Sequence, residues 1–250
     1  MERKRRLIRC LPIAIVALAF ARLAAVDATG PATRTGIPAS LTLERFLSIN
    51  EPAGIQHKEL RHLEAECEGL KASAWMDVWT ELDDRGVMQY RIVDEGGSEY
   101  IRNKVFRGAL EGEQKIWASG APALAVITPA NYVFEDRGTF EGGLSSLGIK
   151  PRRKDVLLVE GAIFLRAADG ELERLEGRLS KSPSFWVRRV DVVRRYARLG
   201  GARMPVALES VAHLLFAGRS TFHMTYDYET VNGLRVGHPQ PRLLAAARPN

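Results

Sequence analysis

The chain has only two cysteines in 250 residues, Cys10 and Cys67. Cys10 sits in an apolar stretch near the N-terminus, so any domain beyond that stretch holds one thiol and no internal disulfide. Its fold must rest on an apolar core. A membrane-spanning run is also missing: the stretch from Cys10 to Ala21 extends about 12 residues before Arg22 interrupts it, and a spanning helix takes ~20. Short catalytic patterns are missing too. There is no G-x-S-x-G, no H-E-x-x-H, no glycine-rich phosphate loop and no metal-spaced Cys/His group. These absences point to a non-enzymatic protein that needs no cofactor.

What is present begins with Arg3, Lys4, Arg5, Arg6 and Arg9, then the apolar run, then small residues ending at Val26-Asp27-Ala28. A basic, an apolar and a small-residue region in that order read as a cleavable secretory signal over residues 1–28, with an uncleaved anchor as the alternative. Export to a periplasm follows. The segment carries six Lys/Arg against two Asp/Glu, which is +4 of the chain's +6. The remainder is close to neutral, so the basic character gives no reason to expect a nucleic-acid partner.

Residues 29–40 are turn formers without periodicity and read as a flexible lead-in, and residues 234–250 as a disordered tail. Between them, 41–233 reads as one domain. Leu43, Phe46 and Leu47 stand at helical spacing. From Glu59 the period changes to two: Leu63, Ala65 and Cys67 alternate with charges, Ala74, Met76 and Val78 alternate with Trp75, Asp77 and Trp79, and Asp84-Arg85-Gly86 turns into Val87–Val93. Cys67 thus reads as a small buried hydrophobe. After Ser98, the residues Ile101, Val105, Ala109, Leu110, Ile116 and Trp117 mark one face of a helix of about 20 residues, whose apolar stripe needs a sheet to cover. Strands are then expected at 131–135, 157–165, 172–179, 185–197, 204–216 and 221–230. The fold class is α+β: a strongly curved antiparallel half-barrel of about 9–11 strands, closed by one long helix and one or more short ones.

Residues 169–233 carry an ordered series: Asp169-Gly170, Glu176-Gly177, Pro183-Ser184-Phe185-Trp186 before Val190-Asp191-Val192-Val193, Gly200-Gly201 with Arg203-Met204-Pro205-Val206, Glu209-Ser210, Gly218-Arg219-Ser220, and Tyr226-Asp227-Tyr228 before Asn232-Gly233. This series resembles the C-terminal half of exported bacterial proteins of the outer-membrane lipoprotein-sorting (LolA/LolB-like) superfamily. The resemblance implies a curved sheet closed by helices around a hydrophobic cavity that holds lipid acyl chains. An acyl lipid or lipoprotein is then the expected partner. The second reading is an envelope sensor or scaffold that binds a peripheral membrane or envelope protein with the same sheet.

The aromatic residues Trp75, Trp79, Trp117, Phe164, Trp186, Phe222 and Tyr226 are the expected cavity lining, on periodicity alone; the competing role is solid core. His213 and His223 fall on neighbouring strands, but without further ligands they read as exposed. Glu171, Glu173 and Glu176 alternate with Arg174 and Arg178, as on a solvated face with cross-strand pairs. Two basic groups, Lys150-Pro151-Arg152-Arg153-Lys154 and Arg188, Arg189, Arg194, Arg195 and Arg198, could meet anionic headgroups or a partner; the plainer reading is a loop and a solvated face.

Overall fold

A computed structural model describes residues 41–49, 55–120, 125–239 and 241. The expected signal, the lead-in and most of the tail lie outside the described residues. Strands β1 (His57–Cys67), β2 (Ala72–Leu82) and β3 (Met88–Gly97) follow a short helix α1 (Leu41–Ser48). Next comes helix α2, in which a turn Glu99–Ile101 passes through a π-helical segment Arg102–Phe106 into Arg107–Ala118. The chain then runs through β4 (Tyr132–Phe140), β5 (Leu144–Pro151), β6 (Val159–Arg166), β7 (Leu172–Leu179), β8 (Val187–Leu199), β9 (Ala202–Leu214), β10 (Gly218–Val231) and β11 (Leu234–Arg235). None of the described helices is long and apolar enough to cross a membrane.

The strands form one antiparallel sheet in the order β3-β2-β1-β10-β9-β8-β7-β6-β5-β4, with β11 paired to β10. The path does not close, so β3 and β4 are edges, and the curved, open sheet with helices on one face is the half-barrel expected. Joining β1 to β10 brings the first hairpin beside the last. Register is held by the alternation: Leu63 lies opposite both Met76 and Met224, and Ala65 opposite Ala74 and Phe222. A slip of one residue would send all of these to water.

β5 is the strand the sequence pattern misses. Leu144-Ser145-Ser146-Leu147-Gly148-Ile149 alternates weakly, yet Leu147 and Ile149 face Ile163 and Gly161 on β6 and are buried. The folded unit also passes its expected end, because Leu234–Arg235 pairs with Val231 and Thr230.

One face of the sheet carries two apolar clusters. Helix α2 covers the first with Ile101, Val105, Phe106, Ala109, Leu110 and Trp117, laid over inward residues of β1, β2, β8, β9 and β10. Ser98 precedes this helix without a side-chain cap; its anchor is instead Glu95, which accepts from Arg102 at 2.6 Å and from Arg107 at 2.9 Å. The hydrogen bonds from these guanidiniums hold the Glu95 carboxyl below its ordinary pKa. A lowered native pKa contributes stability at neutral pH that is lost as pH falls through the folded value. Glu95→Gln should therefore reduce stability at pH 7, and the difference from wild type should shrink as pH falls through the lowered folded value; urea midpoints followed from pH 7 into the acid range check this.

Helix α1 covers the second cluster with Leu43 and Phe46, over Leu147, Ile163, Leu165, Leu172 and Leu175. It docks on the β6–β7 turn, where Gly170 has φ +76° and a Cβ would lie 2.6 Å from the Phe46 nitrogen. Arg45 donates to the Ala167 carbonyl at 2.8 Å beside it. Gly170→Ala combines a left-handed backbone penalty with a clash against helix backbone, so a loss of about 1–3 kcal/mol is expected, read from thermal or urea unfolding.

Candidate functional site

Register defines rows of side chains across the helix-covered face. One row runs Ile149, Gly161, Gly177, Val192, Ser210, Phe222, Ala65, Ala74; the next runs Leu147, Ile163, Leu175, Arg194, Leu208, Met224, Leu63, Met76. Beneath α2 these rows are apolar and tightly filled. The Phe106 ring lies 6.1 Å from that of Phe222, and neither is solvent-accessible beyond 1%. All four described methionines, Met76, Met88, Met204 and Met224, belong to this cluster. Unbranched thioether side chains fill irregular space and repack readily.

One turn along the same face, the interior becomes ionic. Arg61 is 1% exposed. It makes a bidentate pair with Glu113 of α2, at 2.6 and 3.0 Å, and donates to Glu59 at 2.8 Å. Thr80 donates to Glu59 at 2.6 Å, and the Arg61 guanidinium lies 5.1 Å from the Tyr226 ring centre. Burial opposes the charge on Arg61, but Glu113 and Glu59 raise its pKa well above the ordinary value. Arg194 is also buried, and charge interactions with Tyr196 and Tyr226 prevail over burial to raise its pKa. The Tyr226 and Tyr228 rings stack at 6.3 Å, and burial moves both hydroxyl pKa values upward. This centre ties the β1–β10 junction to α2 by charge.

The seven aromatics expected to line one cavity are not brought together. Trp117, Phe222 and Tyr226 lie in the α2-covered cluster. Trp75 and Trp79 alternate onto the opposite face, where Trp75 stacks on His62 at 6.3 Å and the Lys58 ammonium sits 5.1 Å from Trp79. Phe164 also faces outward, closed by Phe140 at 4.9 Å and the Arg174 guanidinium at 4.1 Å. Trp186 stands at the end of the sheet between Phe185 and Phe216. Period two assigns a face only when the partner of that face is known, and here both faces carry aromatics.

His62 is buried on the outer face, 2.5 Å from Asp77 and 3.0 Å from Glu64. The β1–β2 register puts His62 and Asp77 opposite each other. Glu171 is buried rather than solvated and pairs with Arg198, whereas Glu173 makes the expected cross-strand surface pair with Arg166 at 3.6 Å and Glu176 pairs along its own strand with Arg174 at 3.4 Å. Arg194 points inward, unlike Arg188, Arg189 and Arg195. His213 and His223 do not face each other: they lie 3.3 Å from Asp191 and 3.9 Å from Glu64. Cys67 is free and buried. Among the described residues, no group of three His, Cys, Asp or Glu is placed to hold a metal.

The outer face of β4–β9 forms an open groove of about 1020 Å³. Acids and bases are mixed in its lining, with Glu160, Glu176, Asp191 and Glu209 among Lys150, Arg178 and Arg189.

No family model matches the chain, and no curated protein matches it. Similar solved structures include a DUF1329 family protein from Desulfovibrio piger, at 10% identity and a TM-score of 0.35, covering 75% of this chain and 88% of that one. A LolA superfamily protein from Nitrosomonas europaea has 9% identity and a TM-score of 0.35, covering 82% of this chain and 96% of that one. Lipovitellin, in a structure of its lipid–protein interactions, has 8% identity and a TM-score of 0.32, covering 78% of this chain but 27% of that one.

Proposed function

We propose that the chain is an exported, non-enzymatic lipid-binding protein that takes an acyl chain between α2 and the inner face of its half-barrel. The observation that carries this reading is the cluster beneath α2, where all four described methionines meet a helix whose second turn is π-helical. A π segment is a local weakness frequently found at functional sites, and methionines accept new neighbours at little strain. The helix is fixed at its start by Glu95, through Arg102 and Arg107, and further along by Arg61, through Glu113; between these ties it turns Ala109 and Leu110 onto the cluster.

Each CH₂ transferred from water gains about 0.8 kcal/mol, so a 14-carbon chain offers on the order of 10 kcal/mol, from which the cost of displacing the α2 stripe is subtracted. Export rests on the N-terminal sequence, and the acyl chain is the ligand class that suits an apolar, methionine-rich site.

Purified protein extracted into organic solvent is expected to yield acyl lipid by mass spectrometry, and the stripped protein to bind a fluorescent fatty acid. Met76→Leu with Met224→Leu conserves volume and should cost under ~1.5 kcal/mol in stability, while stiffening the site and weakening the probe several-fold. Absence of both extracted lipid and probe binding would overturn the reading.

The ionic groove on the outer face favours a second reading, a polar protein partner bound there in a sensor or scaffold role. Charge reversal at Glu176 and Asp191 would then abolish a signalling output without changing the fatty-acid probe.

A further inference from the structure

The end of the sheet where β7 passes to β8 and β9 to β10 carries apolar side chains that the fold leaves in water. Phe185 is 72% and Phe216 81% exposed, and Trp186 lies between them, its ring 4.2 Å from the first and 5.4 Å from the second. The Leu215 N–H donates to the Trp186 carbonyl at 2.9 Å, which holds the two loops side by side. The adjacent turn Glu68–Leu70 is in backbone contact with the β9–β10 turn: Gly69 N–H donates to the Ala217 carbonyl at 3.1 Å, and a Cβ on Gly69 would lie 2.5 Å from that oxygen. This turn adds Leu70, itself 45% exposed. Three turns thus present an aromatic and aliphatic tip that belongs to neither core cluster.

Cations surround the tip. Lys71, Lys181 and Arg188 are exposed and, among the described residues, form no ion pair; the same holds for Lys154. The loop carrying Lys154 is fastened beside the β7–β8 loop, because Asp155 N–H donates to the Ser180 hydroxyl at 3.0 Å and that hydroxyl donates to the Asp155 carbonyl at 2.8 Å. Arg219 is balanced by Glu68 at 3.2 Å. The exposed acids Glu66 and Glu99 leave the cations in excess. An apolar tip ringed by unpaired Lys and Arg is complementary to a surface that is anionic outside and apolar beneath; tryptophan and its aromatic neighbours suit headgroup depth, and the bases suit phosphates.

We infer that this end of the half-barrel docks on an anionic phospholipid bilayer, with Phe185, Trp186 and Phe216 at headgroup depth and Lys71, Lys154, Lys181 and Arg188 on the phosphates. The inference is independent of the acyl site, which lies under α2. It is tested by co-sedimentation of the purified chain with phosphatidylglycerol/phosphatidylcholine vesicles against phosphatidylcholine alone. Phe185→Ser with Phe216→Ser, and separately Lys181→Glu with Arg188→Glu, should each reduce partition about tenfold or more, and about 1 M salt should do the same to the wild type. Acyl chains brominated near the headgroup should quench wild-type fluorescence more than that of Trp186→Phe. Both double variants should keep the wild-type melting temperature and fatty-acid probe binding, since the substituted residues lie outside the core. All variants share one N-terminus, so differences between them belong to the tip. Equal partition of wild type and variants, or equal quenching with and without Trp186, overturns the inference. So does a change in self-association of the variants with vesicle binding unchanged, which would assign the tip to contact with a second copy.

Discussion

Arg61→Met is expected to lower the unfolding free energy by about 3–5 kcal/mol, the range found when one partner of a buried ion pair is removed. The substitution leaves Glu59 and Glu113, both fully buried, without the guanidinium that neutralises them. Methionine fills much of the space, so the loss is electrostatic rather than a cavity. A second variant separates the two causes: Arg61→Met combined with Glu113→Gln removes one stranded charge and should recover part of the loss, as urea midpoints would show. An equal loss in single and double variants would mean that packing dominates. The ion pair also bears on the acyl site. It is the tie between α2 and β1, so the single variant should open the helix more readily and speed fatty-acid probe association even while the protein remains folded.

The second large effect is alkaline unfolding. Burial pushes the Tyr132 hydroxyl up to about 12, against the pull of its hydrogen bond from the Val159 N–H at 3.2 Å. Burial likewise raises Tyr226 and Tyr228. Tyrosine is charged when deprotonated, so a raised native value gives stability that is fully present below the unfolded value near 10 and is lost as pH rises through the folded value. Tyr132 alone should cost about 2 kcal/mol at pH 12, and the three tyrosines together should unfold the domain in the window from 10 upward. Circular dichroism and phenolate absorbance should change together. Tyr132→Phe should shift that transition to higher pH, and titration of all six tyrosines near 10 in a folded protein would contradict the assignment.

Much of the fold is legible along the chain because alternation is a local property. Thr221 to Thr230 shows an aromatic face and a polar face without any knowledge of a partner, and the strand forms there as β10. The helix after Ser98 is legible for the same reason at period 3.6, although its stripe includes Phe106 and the paired Glu113, which the apolar pattern alone does not name. β5 is less legible because two serines and a glycine blur its alternation. The site is hardest to read, since seven aromatics spread over β2, α2, β6, the β7–β8 loop and β10 look equivalent until the faces are assigned.

The sequence by itself determined the strand-rich class, the single long helix, the position of most turns and the single thiol beyond the N-terminal apolar stretch, all of which follow from short-range periodicity and residue identity. Only the tertiary structure decided which face of each strand is inside, that β1 pairs with β10, and that Arg61 meets Glu113 across 52 positions of chain. The physical reason is range. A strand's period fixes two faces but not which one a helix will cover, and a buried charge is tolerated only where distant segments deliver its counter-charge. The same limit applies to the aromatic tip, which exists because three turns far apart in sequence end side by side.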